Sequence, residues 1–352
     1  MRINNRINNI YINGRFLSHP MTGINRFAYE LCKALSRLFE FTIIAPKGRI
    51  LPEYDIRGLK IIEYGRLKSH LWEQISLPLF LSSKKNYVLL SFSGLGPLLS
   101  KSKISTIHDV SFLHNPDWFS KGYYLFYKIL TPLIIKTSKA ILTVSEFSKS
   151  EILKYYDVKP EKIHVVYNAV TKALENSTPD NQKGKYILTV GSLDPRKNFK
   201  TLIRAFSDER LKHLELRIVG GTNKVFGELG YDMQNYPNIK FLGRISDEEL
   251  RNQYRHAHLF ILASLYEGFG IPPLEALTNG CPIALSDIPV FHEIFEDAAV
   301  YFNPRDIDGI TNAILKSYNN SMPSSDDSTN RVLKKFSWDS SAEKIHLLLQ
   351  SI

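Results

Sequence analysis

Two doubly wound α/β domains in tandem are the fold class this sequence predicts, and three observations predict it. Short apolar runs alternate with amphipathic helical runs along the chain. That alternation stops once, across a polar stretch at 172–184, and then begins again in the same style. The length of 352 residues suits two domains that each bury a core of their own.

In the first half, 10–12, 41–45, 87–92, 104–108, 140–144 and 163–167 are short, β-branched or aromatic, and bounded by turn residues. Such runs are buried strands of a parallel sheet, apolar on both faces. Between them Ile24, Phe27, Ala28, Leu31, Leu35 and Leu38 recur at helical spacing. Phe119, Tyr123, Phe126, Tyr127, Leu130, Leu133 and Ile134 do the same further on. The stretch KALENSTPDNQKG at 172–184 has no period and carries Pro and Gly, so it reads as a linker. Strands follow at 186–190, 216–219, 239–242, 259–263, 282–285 and 300–302, with helices near 199–206, 247–256, 272–279 and 306–318. The segment 322–330 is polar and breaks the pattern, and the amphipathic end from 337 to 352 is expected to pack back onto the first domain. Two βα series with one linker give two Rossmann-like domains, 1–172 and 185–330. Ligands of such sheets bind at the carboxyl ends of the strands, so a cleft between the domains is the expected site.

Composition narrows the function. Apolar residues make up 43% of the chain, which is globular and excludes a low-complexity protein. Cys32 and Cys281 form no disulfide framework and lack metal-ligand spacing, which fits a reducing compartment. The start has no signal-peptide core, and no apolar run reaches membrane-spanning length, so a cytoplasmic location is expected. The net charge of +10 is uneven: residues 1–184 hold 26 Lys and Arg against 14 Asp and Glu, and residues 185–352 hold 19 against 21. A basic first half suggests an anionic surface or partner. No nucleic-acid-binding module accompanies it, so nucleic acid is not expected.

The most informative segment is SLYEGFGIPPLEALTNGC at 264–281. It follows an apolar run, turns through Gly268 and Gly270, and enters a helix with Pro272 and Pro273 in its first turn. Glycines let backbone amides approach a ligand, and the helix start attracts an anion such as a phosphate. Glu267 and Glu275 flank that position, and carboxylates accept strongly from sugar hydroxyls. An ordinary strand–turn–helix with solvated glutamates would show the same chemistry.

Glu267 and Glu275 stand in an E-x7-E arrangement, and EGFGIPPLEA resembles the signature of the group-one family of retaining GT-B glycosyltransferases. TGINRFAYELCKAL at 22–35, TIHDVSFLHNPDWF at 106–119, TVSEFSKSEI at 143–152 and VYNAV at 166–170 resemble the family's first-domain landmarks. VGSLDPRKNFKTLIRAF at 190–206, IVGG at 218–221, FLGRISDEEL at 241–250 and LSDIPVFHEI at 285–294 resemble its donor domain in order and spacing. The resemblance thus covers nearly the whole chain.

It implies a role for each candidate residue. Glu275 would hold the ribose hydroxyls of a nucleoside-diphosphate sugar donor. Glu267 would contact hydroxyls of the transferred sugar, beside the amides of Gly268, Phe269, Gly270 and Ile271. Arg196 and Lys197 would clamp the diphosphate and neutralise charge on the departing oxygen. The family often carries an arginine where this chain has Ser192, and Arg196 is the expected substitute. His108 would lie near the sugar's reacting end, and Gly23 would let substrate approach the first helix. No metal and no cofactor are implied. Asp306 and Asp308 resemble a D-x-D metal motif but open a late helix, where acids favour the dipole. Gly94 and Gly96 lack the third glycine of a dinucleotide fingerprint.

The expected activity is therefore transfer of a hexose, with retention, to a saccharide or lipid-linked acceptor of bacterial surface polysaccharide. The form of the two donor motifs is most similar to mannosyltransferases, which makes GDP-mannose the first donor expectation and a UDP-sugar the alternative. A nucleotide-sugar 2-epimerase or a non-catalytic scaffold of the same fold remain as rivals. Lys121, Lys128, Lys136 and Lys139 intersperse the aromatic helix, and Lys68, Lys84 and Lys85 bracket an apolar stripe at 71–81. Both could rest on an anionic membrane, or both stripes could face the core.

Overall fold

The structure, a computed structural model, describes residues 9–100, 102–171, 184–220, 236–319 and 326–352. The expected linker lies outside the described residues except for its last glycine. The chain divides into two compact units, 1–169 with 336–352, and 170–335.

The first unit is built on seven parallel strands: β1 Asn9–Asn13, β2 Thr42–Ala45, β3 Ile61–Glu63, β4 Tyr87–Ser91, β5 Lys103–Thr106, β6 Ala140–Thr143 and β7 Ile163–Val165. Their order is β3-β2-β1-β4-β5-β6-β7, so the winding reverses between β1 and β4. Ile12 pairs with Ile43 on one side and Leu90 on the other, and all three are fully buried. Covering helices on both faces explain that burial. Six of the seven strands match the sequence reading. β3 was missed because it is a three-residue edge strand whose side chains are mostly exposed, so it carries no apolar signal.

The helix Gly23–Leu35 begins directly after the β1 turn and buries Phe27, Ala28, Leu31 and Leu35 at the expected spacing. The carboxyl-terminal helix Trp338–Ser351 packs on it, with Ser341 Oγ donating to Tyr167 O at 2.8 Å. The helix Lys121–Thr137 differs from a core helix. It buries only Thr131, Ile134 and Ile135, and leaves Tyr123, Leu125, Phe126, Ile129 and Leu133 exposed. Segment 69–82 is helical with a π-turn at Trp72–Ser76 and exposes Leu71, Ile75 and Leu79.

The second unit holds six parallel strands: β8 Tyr186–Val190, β9 Glu215–Val219, β10 Ile239–Gly243, β11 Leu259–Leu262, β12 Ile283–Ser286 and β13 Ala299–Phe302. All six fall where the sequence places them, in the order β10-β9-β8-β11-β12-β13. Winding reverses between β8 and β11. The core gathers Ile187, Leu216, Ile218, Leu259 and Ile261 from the strands with Phe199, Leu202, Ile203, Ile310 and Ile314 from the helices. The polar break expected at 322–330 is corrected in part. Asp326–Lys335 is a helix, tied to the unit by Arg331 and Ser328 on Asp297, and 320–325 lie outside the described residues. The unit therefore runs to Lys335 rather than 330. Among the described residues no helix is long and apolar enough to cross a membrane.

Candidate functional site

The strand order reverses between β8 and β11, and doubly wound sheets hold ligands at the carboxyl ends of the strands flanking such a reversal. Two loops leave those ends, 191–198 and 263–270, and they carry the predicted donor residues Arg196, Lys197, Glu267, Gly268, Phe269 and Gly270, with Ile271 and Glu275 on the helix that follows.

The first loop turns through the 3-10 helix Pro195–Lys197. Asp194 caps it, accepting from Arg196 N at 3.1 Å and from Arg196 Nε at 3.1 Å. Asn198 closes the turn in the left-handed region, where a short polar side chain is tolerated, and its amide donates to Pro304 O at 2.7 Å. The loop thereby aims Lys197 inward: only 9% exposed, its Nζ lies 2.5 Å from Glu267 Oε1. Leu265 N donates to Arg196 O at 2.7 Å, so the two loops are joined by backbone as well as by charge.

Glu267 is 6% exposed. The same Oε1 accepts from Ser264 Oγ at 2.7 Å, so a buried hydroxyl and a buried ammonium fix one carboxylate oxygen. Oε2 has no hydrogen-bond partner among the described residues. Ser264 was not singled out in the sequence; its one signal is its place at the end of the β11 run, three residues before Glu267.

Gly270 then bends the chain with φ at 111°, and a Cβ there would lie 2.9 Å from the Phe291 ring. Only glycine meets both demands. The helix Ile271–Thr278 starts on this bend with Pro272 and Pro273 in its first turn, which leaves Ile271 and Leu274 as the N–H donors among its first four residues. Phe269 is buried, and Glu275 is half-buried one turn into the helix. Tyr254 donates its hydroxyl to Glu275 Oε2 at 3.0 Å. The structure thus collects Arg196, Lys197, Glu267, Gly268, Phe269, Gly270, Ile271 and Glu275 around two loops and one helix start of a single unit.

His108 and Gly23 belong to the first unit. His108 follows β5 and is half-buried, with its ring edge-on to Phe27 at 5.0 Å. One ring nitrogen, Nε2, sits 2.8 Å from Phe92 O. A carbonyl only accepts, so this nitrogen carries the proton and Nδ1 keeps its lone pair. Desolvation of the ring holds its pKa below the ordinary histidine value, outweighing help from Phe92 O and Asp109. Gly23 is the first residue of its helix and exposed. Thr22, which precedes it, makes no side-chain capping bond.

The reversal of the first sheet holds an ion cluster that the sequence reading missed. Glu73, 2% exposed on the π-turn, accepts from Asn13 Nδ2 at 2.6 Å and lies 3.3 Å from Arg15 Nε. Burial pushes its carboxyl up, but the Arg15 charge and bonds from His70 and Asn13 outweigh that and leave it below the usual range. No spacing rule could join residues sixty positions apart.

Of the decoys, Asp308 pairs with Arg210 at 3.0 Å, and Gly94 lies against the Arg15 guanidinium. No group of metal-ligating side chains occurs among the described residues.

Known proteins resemble this chain in sequence and in fold. Residues 170–335 match the family described as Glycosyl transferases group 1, and residues 21–173 match Glycosyltransferase Family 4. The O-antigen chain mannosyltransferase RfbU of Salmonella typhimurium is 35% identical over 60% of this chain, and the chain spans 59% of that relative's length. The O-antigen chain mannosyltransferase B of Escherichia coli is 27% identical over 92% of this chain and 94% of its own. Among solved structures, WaaG, a glycosyltransferase involved in lipopolysaccharide biosynthesis, superposes with a TM-score of 0.72 at 16% identity over 97% of this chain and 98% of its own. Anabaena Alr3699/HepE in complex with UDP and glucose gives 0.74 at 14% over 98% and 100%. At such identities the superpositions speak for the GT-B fold alone. With the two family matches meeting near residue 170, where the chain itself divides, this protein belongs to the group 1 glycosyltransferase family.

Proposed function

We propose that this chain is a retaining mannosyltransferase that moves mannose from GDP-mannose to a saccharide acceptor of bacterial surface polysaccharide, carried on a lipid. Full-length similarity to an O-antigen chain mannosyltransferase supports the sugar and the acceptor class. The single structural observation that carries the enzymatic reading is the Lys197–Glu267–Ser264 cluster beside the helix start at Gly270.

In this reading the diphosphate lies against the amides at Gly270 and Ile271, with Arg196 and Lys197 on its other side. One N–H of Lys197 is committed to Glu267, and the ammonium has two more to give. These charges stabilise the oxygen that becomes anionic as the glycosidic bond breaks, the point at which preorganised donors act most strongly. Glu267 Oε2 accepts from hydroxyls of the transferred sugar, and Glu275 from the ribose. The leaving oxygen itself takes the acceptor's proton on the same face of the sugar, which gives retention without an enzymic nucleophile. His108, neutral and with Nδ1 as an acceptor, positions rather than deprotonates. The cations and the helix start supply the neutralisation, so no metal is required.

The acceptor is proposed to be met at a membrane surface. Leu71, Ile75 and Leu79 on one helix, and Leu125, Ile129 and Leu133 on another, form exposed stripes at i, i+4, i+8 spacing. The segments touch through His70 and Phe126, 5.0 Å apart, and exposed Lys68, Lys121, Lys128 and Lys136 lie among the stripes. An apolar ridge ringed by cations suits an anionic bilayer, each well-placed lysine contributing about 1 kcal/mol.

A transfer assay with GDP-mannose and UDP-sugars, with a lipid-linked saccharide as acceptor and EDTA present, tests the reading. Mannosyl transfer from GDP-mannose with retained anomeric configuration is expected. Preference for a UDP-sugar would overturn the donor, and a free epimerised sugar as product would overturn the reaction.

A further inference from the structure

The helix Asp247–His256 is polar along nearly its whole length. It opens on Ser246, whose hydroxyl accepts from Glu249 N at 3.1 Å, and its first turn is Asp247, Glu248 and Glu249. Tyr254 is the only one of its ten residues that is buried, at 1% exposure. The ring packs against Phe260 of β11, with centroids 5.7 Å apart, and the hydroxyl reaches across to the next helix, to Glu275 Oε2. A surface helix therefore sends one side chain inward, and that side chain ends on the second carboxylate of the donor site.

Any buried tyrosine needs a partner for its hydroxyl, and a backbone carbonyl would have served. A carboxylate partner does more. A glutamate on a helix samples many rotamers, and ordering it costs side-chain entropy. A phenol that donates to one oxygen removes that cost in advance and fixes which way the carboxylate faces. Glu267 is held in the same manner, through one oxygen, by Ser264 and Lys197.

We propose that Tyr254 is a positioning residue for nucleotide recognition, and that its hydroxyl sets the Glu275 carboxylate for the ribose hydroxyls of a nucleoside diphosphate. The inference rests on the assignment of Glu275 to the ribose made above. Tyr254 touches no substrate; it acts through Glu275. The ring is packing and the hydroxyl is recognition, so Tyr254→Phe separates the two.

Calorimetric titration tests this, with GDP or UDP, whichever the wild type binds more tightly, and with its 2′,3′-dideoxy counterpart. The wild type should lose affinity when the ribose hydroxyls are removed. Tyr254→Phe should weaken the ribonucleotide roughly ten-fold, the scale of one hydrogen bond to a charged group, and weaken the dideoxy form less than two-fold. In turnover the donor KM should rise by a similar factor with kcat within about three-fold. Tyr254→Phe combined with Glu275→Gln should be no worse than Glu275→Gln alone. A variant that binds the ribonucleotide within two-fold of wild type, while wild type still discriminates against the dideoxy form, would overturn the role of Tyr254 and leave Glu275 in place. Equal losses on both nucleotides would mean that the hydroxyl serves the fold alone. A wild type indifferent to the ribose hydroxyls would overturn the assignment of Glu275 and this inference with it.

Discussion

Glu267 and Lys197 are each a burden without the other. Both are more than nine-tenths buried, so removing one partner leaves a charge with neither water nor counter-ion. Glu267→Gln is expected to cost about 3–5 kcal/mol of stability and to abolish transfer, because it strands Lys197 and alters the sugar contact together. Thermal unfolding and a transfer assay on the same preparation would check both. Glu73 in the first unit follows the same logic, and there the sign of the pH effect can be worked out. Its folded pKa is below the ordinary carboxylate value, so its stabilisation is present above about pH 4.5 and is lost as pH falls through the folded value. His108 adds a slope at higher pH. Its folded pKa is also depressed, so below about pH 6.5 the unfolded chain takes up a proton that the folded one refuses, and stability falls with pH from there. His108→Phe should flatten the melting-temperature profile between about pH 5 and 7, which unfolding measured across that range would show. An unchanged profile would contradict the desolvated, neutral ring.

Helix starts and loops, rather than strands, decide whether the site exists. The bend at Gly270 serves the helix Ile271–Thr278 by combining a positive φ with a contact that excludes a Cβ. Gly270→Ala is expected to lower stability by roughly 2–4 kcal/mol through strain and overpacking against Phe291, and to weaken nucleotide binding as the amides shift. Calorimetry on the folded fraction would separate the two effects. The exposed stripes are elements of another kind. Leu71→Glu with Ile129→Glu should halve or more the protein recovered on phosphatidylglycerol vesicles while leaving the melting temperature within about 2 °C, since neither side chain is buried. Equal recovery by wild type and variant would contradict the membrane-facing ridge. Here the limits of the sequence are clear. Strands flanked on both faces leave continuous apolar runs, so β8 to β13 could be placed in order. The short exposed edge strand β3 leaves none. The aromatic helix had the period of a core helix, but periodicity says that a face is apolar and not whether anything covers it.

For the molecule, the two winding reversals explain why so much of the donor site could be read and so little of the rest. The residues proposed for the donor sit in two short loops, 191–198 and 263–270, and in the helix that follows the second, each stretch contiguous in sequence and each following a recognisable strand. Ser264 and Tyr254 escaped notice because their roles depend on which oxygen of which glutamate they meet. The Asn13–Arg15–Glu73 cluster escaped for the same reason at longer range. Charge also divides at the scale of the molecule: the basic excess lies in residues 1–184, while the remainder is slightly acidic. Association with anionic vesicles should therefore weaken several-fold between about 50 and 300 mM salt, while nucleotide binding through a few buried groups should change little. Co-sedimentation and calorimetry at the two salt concentrations would measure both.

On the proposed function, the loops at the carboxyl ends of β8 and β11 hold the nucleoside diphosphate of a sugar donor. Its most direct test is calorimetric titration of GDP into the wild type and into Glu275→Ala. Saturable one-to-one binding by the wild type is expected, with an affinity at least ten-fold weaker in the variant. Equal affinity in the two proteins would contradict it.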